Sequence, residues 1–159
     1  ARQFTSDDNI CVTTDAQEII EIVENYGLKV PFVRPDVLAT DLANSYDVIL
    51  HAINQYSKKY RKIVLLQPTS PFREEKNLRQ AFDIFSNELD MVVSVVETEA
   101  NPYYVLFEEN ELGLLQKSKE SEKTRRQDLP KVYELNGSIY LITVKSLLEK
   151  KAIGNSIVR

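Results

Sequence analysis

The sequence contains a single cysteine, Cys11, among its 159 residues. A disulfide or a thiolate metal cluster needs more than one cysteine, so neither can form within this chain alone. Cys11 stands between Ile10 and Val12, and we expect it to be a small apolar residue of a buried strand. No apolar run approaches the roughly 18 residues that a membrane-spanning helix requires, and no secretory signal opens the chain. We therefore expect a cytoplasmic protein without a membrane partner.

The sequence also lacks an excess of positive charge. With 20 Lys and Arg against 24 Asp and Glu, its formal net charge is −4 and its pI is about 5.2. Proteins that bind nucleic acids usually carry a basic surface, so we expect no nucleic-acid partner. An anionic ligand would have to be held by a local group of positive side chains. The hydrophobic fraction of 43% is sufficient for one ordinary globular domain.

Apolar residues change between strand-like and helix-like spacing in the first two thirds of the chain. Extended segments are predicted at residues 9–14, 28–33, 63–66 and 91–96. Helices are predicted between them: one from the capping box Asp15-Ala16-Gln17-Glu18 to Gly27, one capped by Asn44 or Ser45, and one over 75–87. This alternation predicts an α/β fold, a three-layer sandwich with a mainly parallel sheet.

The segment over residues 101–135 interrupts the alternation. Residues 103–107 have an extended pattern, Gly113 marks a turn, and residues 116–127 are polar and rich in Lys and Arg. We expect a projecting hairpin or arm here. A strand over 138–142 and a helix that begins near Val144 are predicted to follow.

The loop after the predicted strand at 63–66 carries a dense group of polar side chains. Its sequence, Gln67-Pro68-Thr69-Ser70-Pro71-Phe72-Arg73, contains an amide, two hydroxyls, two prolines and an arginine. In open α/β sheets, ligands bind at the carboxyl ends of the strands. We therefore expect a ligand site at this loop.

This loop belongs to a series of four blocks in the sequence. The blocks are Arg34 to Asp41, Leu65 to Arg73, Arg126 to Pro130 and Asn136 to Tyr140. In this order, they resemble the signature blocks of the acylneuraminate cytidylyltransferases, which include the CMP-sialic acid synthetases. The resemblance covers nearly the whole chain. It implies a Rossmann-like nucleotidyltransferase that joins CTP to a nonulosonic acid and releases a CMP-sugar and pyrophosphate, with Mg²⁺ as cofactor. It also implies a homodimer in which the arm of one subunit reaches the site of the other.

The resemblance implies that Arg34 and Ser45 recognise the cytosine base. A guanidinium and a hydroxyl can both bond the acceptor face of cytosine. Each residue also has a structural alternative. Arg34 could be a surface arginine before a proline, and Ser45 could cap the helix that follows it.

The resemblance assigns four residues to the sugar acid. Gln67, Asn136 and Tyr140 would line its pocket, and Arg126 would reach the substrate carboxylate from the partner subunit, where a guanidinium can form a bidentate contact. Asn136 and Tyr140 are an even number of residues apart, so a regular strand would place them on one face. The alternatives are a loop contact for Gln67 and an ordinary buried position for Tyr140.

The chain lacks two segments that the family uses. It has only four glycines and no Gly/Ser/Lys/Arg-rich loop to hold the triphosphate, and it has no aspartate pair near its end to hold the metal. We therefore expect residues 1–159 to form a single nucleotidyltransferase domain without these segments, with an arm over 101–135, and to be inactive alone. No catalytic residue and no metal ligand is assigned within the chain.

Two positions bear on the choice of sugar acid. Ile153-Gly154 stands where some sialic-acid-specific members have an aromatic pair, and Tyr104 occupies a basic position of the arm. These differences favour a relative of N-acetylneuraminic acid, such as legionaminic or pseudaminic acid. Two alternative functions stay open: a 3-deoxy-manno-octulosonate cytidylyltransferase, and a non-catalytic sugar-binding or dimerisation remnant of this fold.

Overall fold

A computed structural model describes residues 1–56 and 59–151. In these residues the chain forms four α-helices and five strands. In chain order they are α1 Gln17–Asn25, α2 Ser45–Asn54, β1 Lys62–Leu65, α3 Glu75–Asp83, β2 Met91–Thr98, β3 Phe107–Glu109, β4 Leu115–Lys117, β5 Val132–Thr143 and α4 Val144–Lys150. Within the described residues, no helix is sufficiently long and apolar to cross a membrane.

The first helix forms as its apolar spacing predicts, but its start differs from the prediction. Ala16 is the N-cap of α1, and no side chain caps this helix. The prediction of a capping box at Asp15 was therefore wrong. Instead, the buried Thr14 hydroxyl accepts a hydrogen bond from the Ala16 backbone nitrogen at 3.2 Å. Gly27 follows the helix with a φ of +79°, which a glycine adopts readily.

Helices α2 and α4 are each capped by the side chain of the residue that precedes them. The Asn44 side-chain oxygen accepts a hydrogen bond from the Asp47 backbone nitrogen at 2.9 Å, so Asn44 is the cap of α2. Thr143 caps α4 in the same way, through the Ser146 nitrogen. The third helix ends at Asp83 rather than at residue 87. The predicted start of the last helix near Val144 is confirmed.

The three longer strands form one sheet in the order β1-β5-β2. The central strand, β5, is antiparallel to both of its neighbours. Within the described residues the prediction of a mainly parallel sheet was therefore wrong. A continuous apolar run fits any strand that is covered on both faces, so the sequence pattern does not report the direction of the neighbouring strand.

The predicted strands at 9–14 and 28–33 are not strands in the structure. Neither segment forms a regular element, and the Arg34 nitrogen, just after the second segment, donates a hydrogen bond to the Thr14 carbonyl oxygen of the first at 2.8 Å. A short 3₁₀ turn at Asp7–Asn9 includes the first residue of the first segment. Cys11 is exposed, so the expectation of a buried strand position was also wrong.

Helices cover both faces of the three-stranded sheet. On one face, Leu78 and Ala81 of α3 pack with Val92, Ile139 and Leu141 of the sheet. The opposite face packs against α2 and α4 through a second apolar cluster, whose buried members are Ile49, Met91, Ile142 and Leu147. Neighbouring sheet residues alternate between the two clusters, as strand geometry requires. The helix–sheet–helix layering therefore agrees with the predicted sandwich.

The predicted hairpin at 101–135 is present. Strands β3 and β4 pair antiparallel as a separate two-stranded sheet, and Gly113 lies in the turn between them with a φ of +75°. All residues of both strands are exposed.

Candidate functional site

The candidate site lies where β1 and β2 meet the same part of β5. Leu65, the last residue of β1, and Val93 of β2 both pair with Tyr140, from opposite sides. Because β5 is antiparallel to each of them, β1 and β2 run in the same direction. The polar loop after β1 therefore reaches the same edge as the residues that follow Val93.

The ladder between β2 and β5 is interrupted at this point. Val93 pairs with Tyr140 and Val95 pairs with Leu135, so β2 advances by two residues while β5 advances by five. The additional residues of β5, 136–139, form a bulge that contains Gly137 with a φ of +70°. Bulges of this kind redirect side chains and are frequent beside active sites.

Gln67 lies directly against this bulge. A Cβ atom on residue 137 would stand only 2.5 Å from the Gln67 side-chain oxygen, so a larger residue would displace the end of the Gln67 side chain, while the backbone conformation with φ +70° itself favours a glycine. Gln67 is half-buried, and its side-chain amide forms no hydrogen bond with any described residue. The loop-contact alternative for this amide is therefore not what the structure shows.

The loop of Gln67 is held by contacts to the bulge. The Ser70 hydroxyl donates to the Asn136 carbonyl oxygen at 3.0 Å. The Arg73 guanidinium donates to the Gln67 carbonyl oxygen and to the Ser138 hydroxyl, the latter at 3.3 Å. Burial lowers the pKa of Arg73, which remains far above neutral pH because an arginine does not lose its proton in proteins. These bonds fix the Gln67 backbone while its side chain stays available.

Asn136 is the second sugar-acid candidate at this edge. Its side-chain oxygen accepts hydrogen bonds from the Ser94 hydroxyl at 2.6 Å and from the Ser138 backbone nitrogen at 3.0 Å. The residue is exposed. The structure thus places Gln67 and Asn136 at the same bulge, and their contact with a sugar acid stays a prediction.

Ser94 is a residue of this site that our sequence analysis missed. It stands within an apolar strand, Met91-Val92-Val93-Ser94-Val95-Val96, where a lone serine carries no obvious signal. The Asn136-Gly137 pair inside the partner strand was the available sign, because a glycine within a strand often marks a bulge.

Tyr140 points to a different part of the structure. It is half-buried and packs against the apolar cluster between the sheet, α2 and α4. The bulge also separates it from Asn136. The rule that residues an even number apart lie on one face holds for a regular strand, so it does not apply to this pair. The structure thus agrees with the alternative of a packed tyrosine, and contact with the sugar acid stays a prediction.

The two nucleotide candidates lie outside the group around Gln67. Arg34 is half-buried and donates to the Thr13 hydroxyl at 3.3 Å and to the Thr13 carbonyl oxygen, so its guanidinium is held in place. Ser45 is the exposed first residue of α2, and Asn44 takes the capping role that was the alternative for Ser45. Within the described residues, no hydrogen bond joins either residue to Gln67 or Asn136. Their role in cytosine recognition stays a prediction.

Arg126 lies in a separate cleft of the same chain. It forms an ion pair with Glu99 at 2.9 Å, and the hydrogen bond in this pair raises the pKa of Arg126 and lowers that of Glu99. The cleft has a volume of about 580 Å³ and is also lined by Glu97 and Lys131, which form a second ion pair at 2.8 Å. Its wall includes Val132, which is about 13 Å along β5 from Asn136.

The described residues contain no group of three or more His, Cys, Asp or Glu side chains that could hold a metal ion. No magnesium ligand is therefore assigned among these residues, and the requirement for the ion stays a prediction. Tyr104, which the resemblance places at a basic position of the arm, is exposed and makes a minor contribution to the raised pKa of Arg126. Ile153-Gly154 lies outside the described residues.

Comparison with known proteins gives a consistent result. A family model described as cytidylyltransferase matches residues 1–153. The CMP-N,N'-diacetyllegionaminic acid synthase of Legionella pneumophila is 29% identical over 155 residues, which are 96% of this chain and 67% of that protein. The pseudaminic acid cytidylyltransferase of Campylobacter jejuni is 32% identical over 152 residues, or 92% of this chain and 65% of that protein.

A third relative is a longer protein than these two. The N-acylneuraminate cytidylyltransferase of Streptococcus agalactiae is 32% identical over 149 residues, which cover 93% of this chain but 36% of that protein. The chain therefore spans about two thirds of the length of some curated relatives and about one third of another.

Proposed function

The chain belongs to the cytidylyltransferase family, and from this membership we propose that it activates a nonulosonic acid with CTP, giving a CMP-sugar and pyrophosphate. The three relatives carry the names of legionaminic, pseudaminic and neuraminic acid, which are all nonulosonic acids. The observation that supports the proposal best is the pair of amide side chains, Gln67 and Asn136, at one edge of the sheet. A non-catalytic sugar-binding remnant is the alternative that the experiment below must exclude.

The amide pair suits a sugar acid chemically. The Gln67 side chain has one acceptor oxygen and two N–H donors, and none of them is used by a described residue. The oxygen of the Asn136 amide is already bonded, so this residue offers N–H donors. Hydroxyl groups can bond both residues, whereas a carboxylate is an acceptor that suits the N–H groups.

The reaction requires orientation more than covalent help from the protein. The anomeric hydroxyl oxygen of the sugar acid attacks the α-phosphorus of CTP, the bond from that phosphorus to the bridging oxygen breaks, and pyrophosphate leaves. The hydroxyl proton passes to a base that we do not assign. Such a transfer depends on placing the attacking and leaving oxygens in line. We propose that Gln67 and Asn136 hold the sugar acid and that Arg34 and Ser45 hold the cytosine base.

We further propose that the reaction requires Mg²⁺, which neutralises charge on the phosphates when it is bound. Because the described residues supply no cluster of metal ligands, this proposal rests on the family resemblance and names no residue of the chain. We expect product formation to be lost when a chelator removes the ion, and this measurement tests the proposal.

We also propose a homodimer. The outer part of the β2–β5 ladder exposes Val95, Val96, Tyr133 and Leu135, and the hairpin adds further exposed apolar side chains. Of these, Val95, Leu135 and Tyr133 lie on one face of the ladder, and grouped exposed apolar side chains of this kind often mark a protein–protein interface. A second copy that covers this surface would also allow Arg126 to approach the amide pair of its partner, which it does not reach within its own chain.

The test of the proposed function is the identification of the product. The complete gene product would be incubated with Mg²⁺, each of the four ribonucleoside triphosphates, and neuraminic, legionaminic, pseudaminic or 3-deoxy-manno-octulosonic acid. We expect mass spectrometry to show a CMP-sugar only with CTP and a nine-carbon acid. Product with 3-deoxy-manno-octulosonic acid alone would support the other cytidylyltransferase. A folded protein that neither binds CTP nor forms any product would support the remnant.

A further inference from the structure

The hydroxyl of Ser94 occupies the point where the β2–β5 ladder is interrupted. It accepts a hydrogen bond from the Ile139 backbone nitrogen at 2.8 Å. This hydroxyl thus replaces the backbone acceptor that a regular ladder would offer to Ile139. It also lies 2.6 Å from the Asn136 side-chain oxygen and 3.4 Å from the Ile139 carbonyl oxygen. Ser94 therefore connects the body of the sheet to both ends of the bulge.

The donor and acceptor capacity of a hydroxyl decides between these contacts. A serine has one O–H donor, so Ser94 can donate fully to only one of the two oxygens. The distance of 2.6 Å to Asn136 is typical of a good O–H to O hydrogen bond, whereas 3.4 Å is too long. The hydroxyl therefore donates to Asn136 while it accepts from Ile139.

This bond fixes which atom Asn136 presents to the site. A backbone N–H must meet an acceptor, so the Asn136 atom that contacts the Ser138 nitrogen is the oxygen. With the Ser94 hydroxyl on the same oxygen, the amide cannot rotate without losing two hydrogen bonds. Its nitrogen then keeps its N–H donors unused, since within the described part of the chain no residue accepts from it.

We propose that Ser94 is a positioning residue for the sugar acid, which it does not touch, because it orients the Asn136 N–H donors toward the ligand. The proposal rests on the proposed function for its kinetic consequence, but the orientation itself is a property of the free protein. The proposal can therefore be tested by two measurements, one of kinetics and one of the amide in the free protein. The second distinguishes a failure of the positioning role from a failure of the proposed function.

The sharpest variants are Ser94→Thr and Ser94→Val, which have nearly the same shape and differ in the hydroxyl. Both residues are favourable in strands. We expect Ser94→Thr to retain the kinetics of the native protein and Ser94→Val to lower kcat/KM for the sugar acid roughly tenfold, the effect of about one hydrogen bond. KM for CTP should be unchanged. Ser86→Ala, at an exposed serine after α3, is the control.

A double-mutant cycle separates positioning from general destabilisation. If Ser94 acts through Asn136, then Ser94→Val should have no further effect on kcat/KM in a protein that already carries Asn136→Ala. Additive losses in the cycle, or equal kinetics for the Thr and Val variants, would overturn the proposal.

The second readout does not depend on activity. Relaxation measurements of the Asn136 side-chain amide by NMR should show a rigid group in the native protein and in Ser94→Thr, and a mobile one in Ser94→Val. An equally rigid amide in both variants would contradict the positioning role. If the amide is mobile in Ser94→Val but the native protein shows no activity toward any sugar acid, the positioning role is confirmed and the proposed function is refuted.

Discussion

The side-chain oxygen of Gln67 occupies space that only a glycine at position 137 leaves open. A Cβ atom there would lie 2.5 Å from that oxygen, which is closer than real Cβ contacts occur. Two signature blocks that are distant in the sequence are therefore fitted to each other at one edge of the sheet. The contact relates the backbone conformation of the bulge to the position of a candidate ligand group.

Gly137→Ala should therefore impair the site and the fold together. The φ of +70° is unfavourable for alanine by about 1–2 kcal/mol, and the new methyl group must also displace the Gln67 amide. We expect a lower free energy of unfolding in chemical denaturation and a clear loss of kcat/KM for the sugar acid.

Gly113→Ala is the matched control for this prediction. Gly113 has a φ of +75°, but its added Cβ would meet its nearest neighbour, a Glu109 oxygen, at an ordinary 3.7 Å. It should therefore show the backbone effect on stability without the collision. If both variants lose activity equally, the contact between residues 67 and 137 has no specific role.

Mixed dimers test whether Arg126 acts across the subunit interface. Arg126→Ala and Gln67→Ala should each be nearly inactive as homodimers. After subunit exchange, we expect about a quarter of the native activity, because half of the dimers are then mixed and each has one intact site of two. The measurement is pyrophosphate release before and after exchange. Absence of recovery in verified mixed dimers would place Arg126 in the site of its own chain, or in none.

The contact between Cys11 and Tyr56 predicts a stability that falls at alkaline pH. Partial desolvation by neighbouring residues is the main cause that raises the pKa of Tyr56 to about 12, and it also raises the pKa of Cys11, although that side chain keeps contact with solvent. In the unfolded chain both groups lose their protons at lower pH, so the folded state binds more protons between pH 10 and about 12. The free energy of unfolding should therefore decrease as the pH rises through this window.

Tyr56→Phe should reduce that dependence on pH, since it removes the tyrosine proton. Denaturant titrations at several pH values would measure the slope, and Tyr26→Phe, at a largely exposed tyrosine, serves as the control. An unchanged slope in Tyr56→Phe would show that this pair does not contribute.

Local sequence signals predicted the helices better than they predicted the sheet. Local signals located the four α-helices of the described residues, and apolar spacing did so for the first three, because an amphipathic helix carries its own periodicity. The direction of β5 was not predictable in this way, since a strand covered on both faces is apolar whichever way its neighbours run. The extended segments at 9–14 and 28–33 have strand-like residues, but strand formation depends on a partner that local sequence does not specify.

The candidate site was predictable only in part for a related reason. Gln67 and Asn136 were identified through their signature blocks, and the structure brings them together. Ser94 was not identified, because its importance depends on the register of two strands that are distant in sequence. The argument that placed Tyr140 and Asn136 on one face assumed a regular strand, and the bulge between them removes that assumption.

The most direct test of the account is the kinetic effect of Gln67→Ala on the two substrates separately. The central claim is that the edge formed by Gln67 and Asn136 holds the sugar acid and not the nucleotide. In the complete gene product, we expect kcat/KM for the sugar acid to fall by about tenfold or more, as for the loss of hydrogen bonds to a ligand. The affinity for CTP should be nearly unchanged. An equal loss toward both substrates, in a variant with native stability, would contradict the claim.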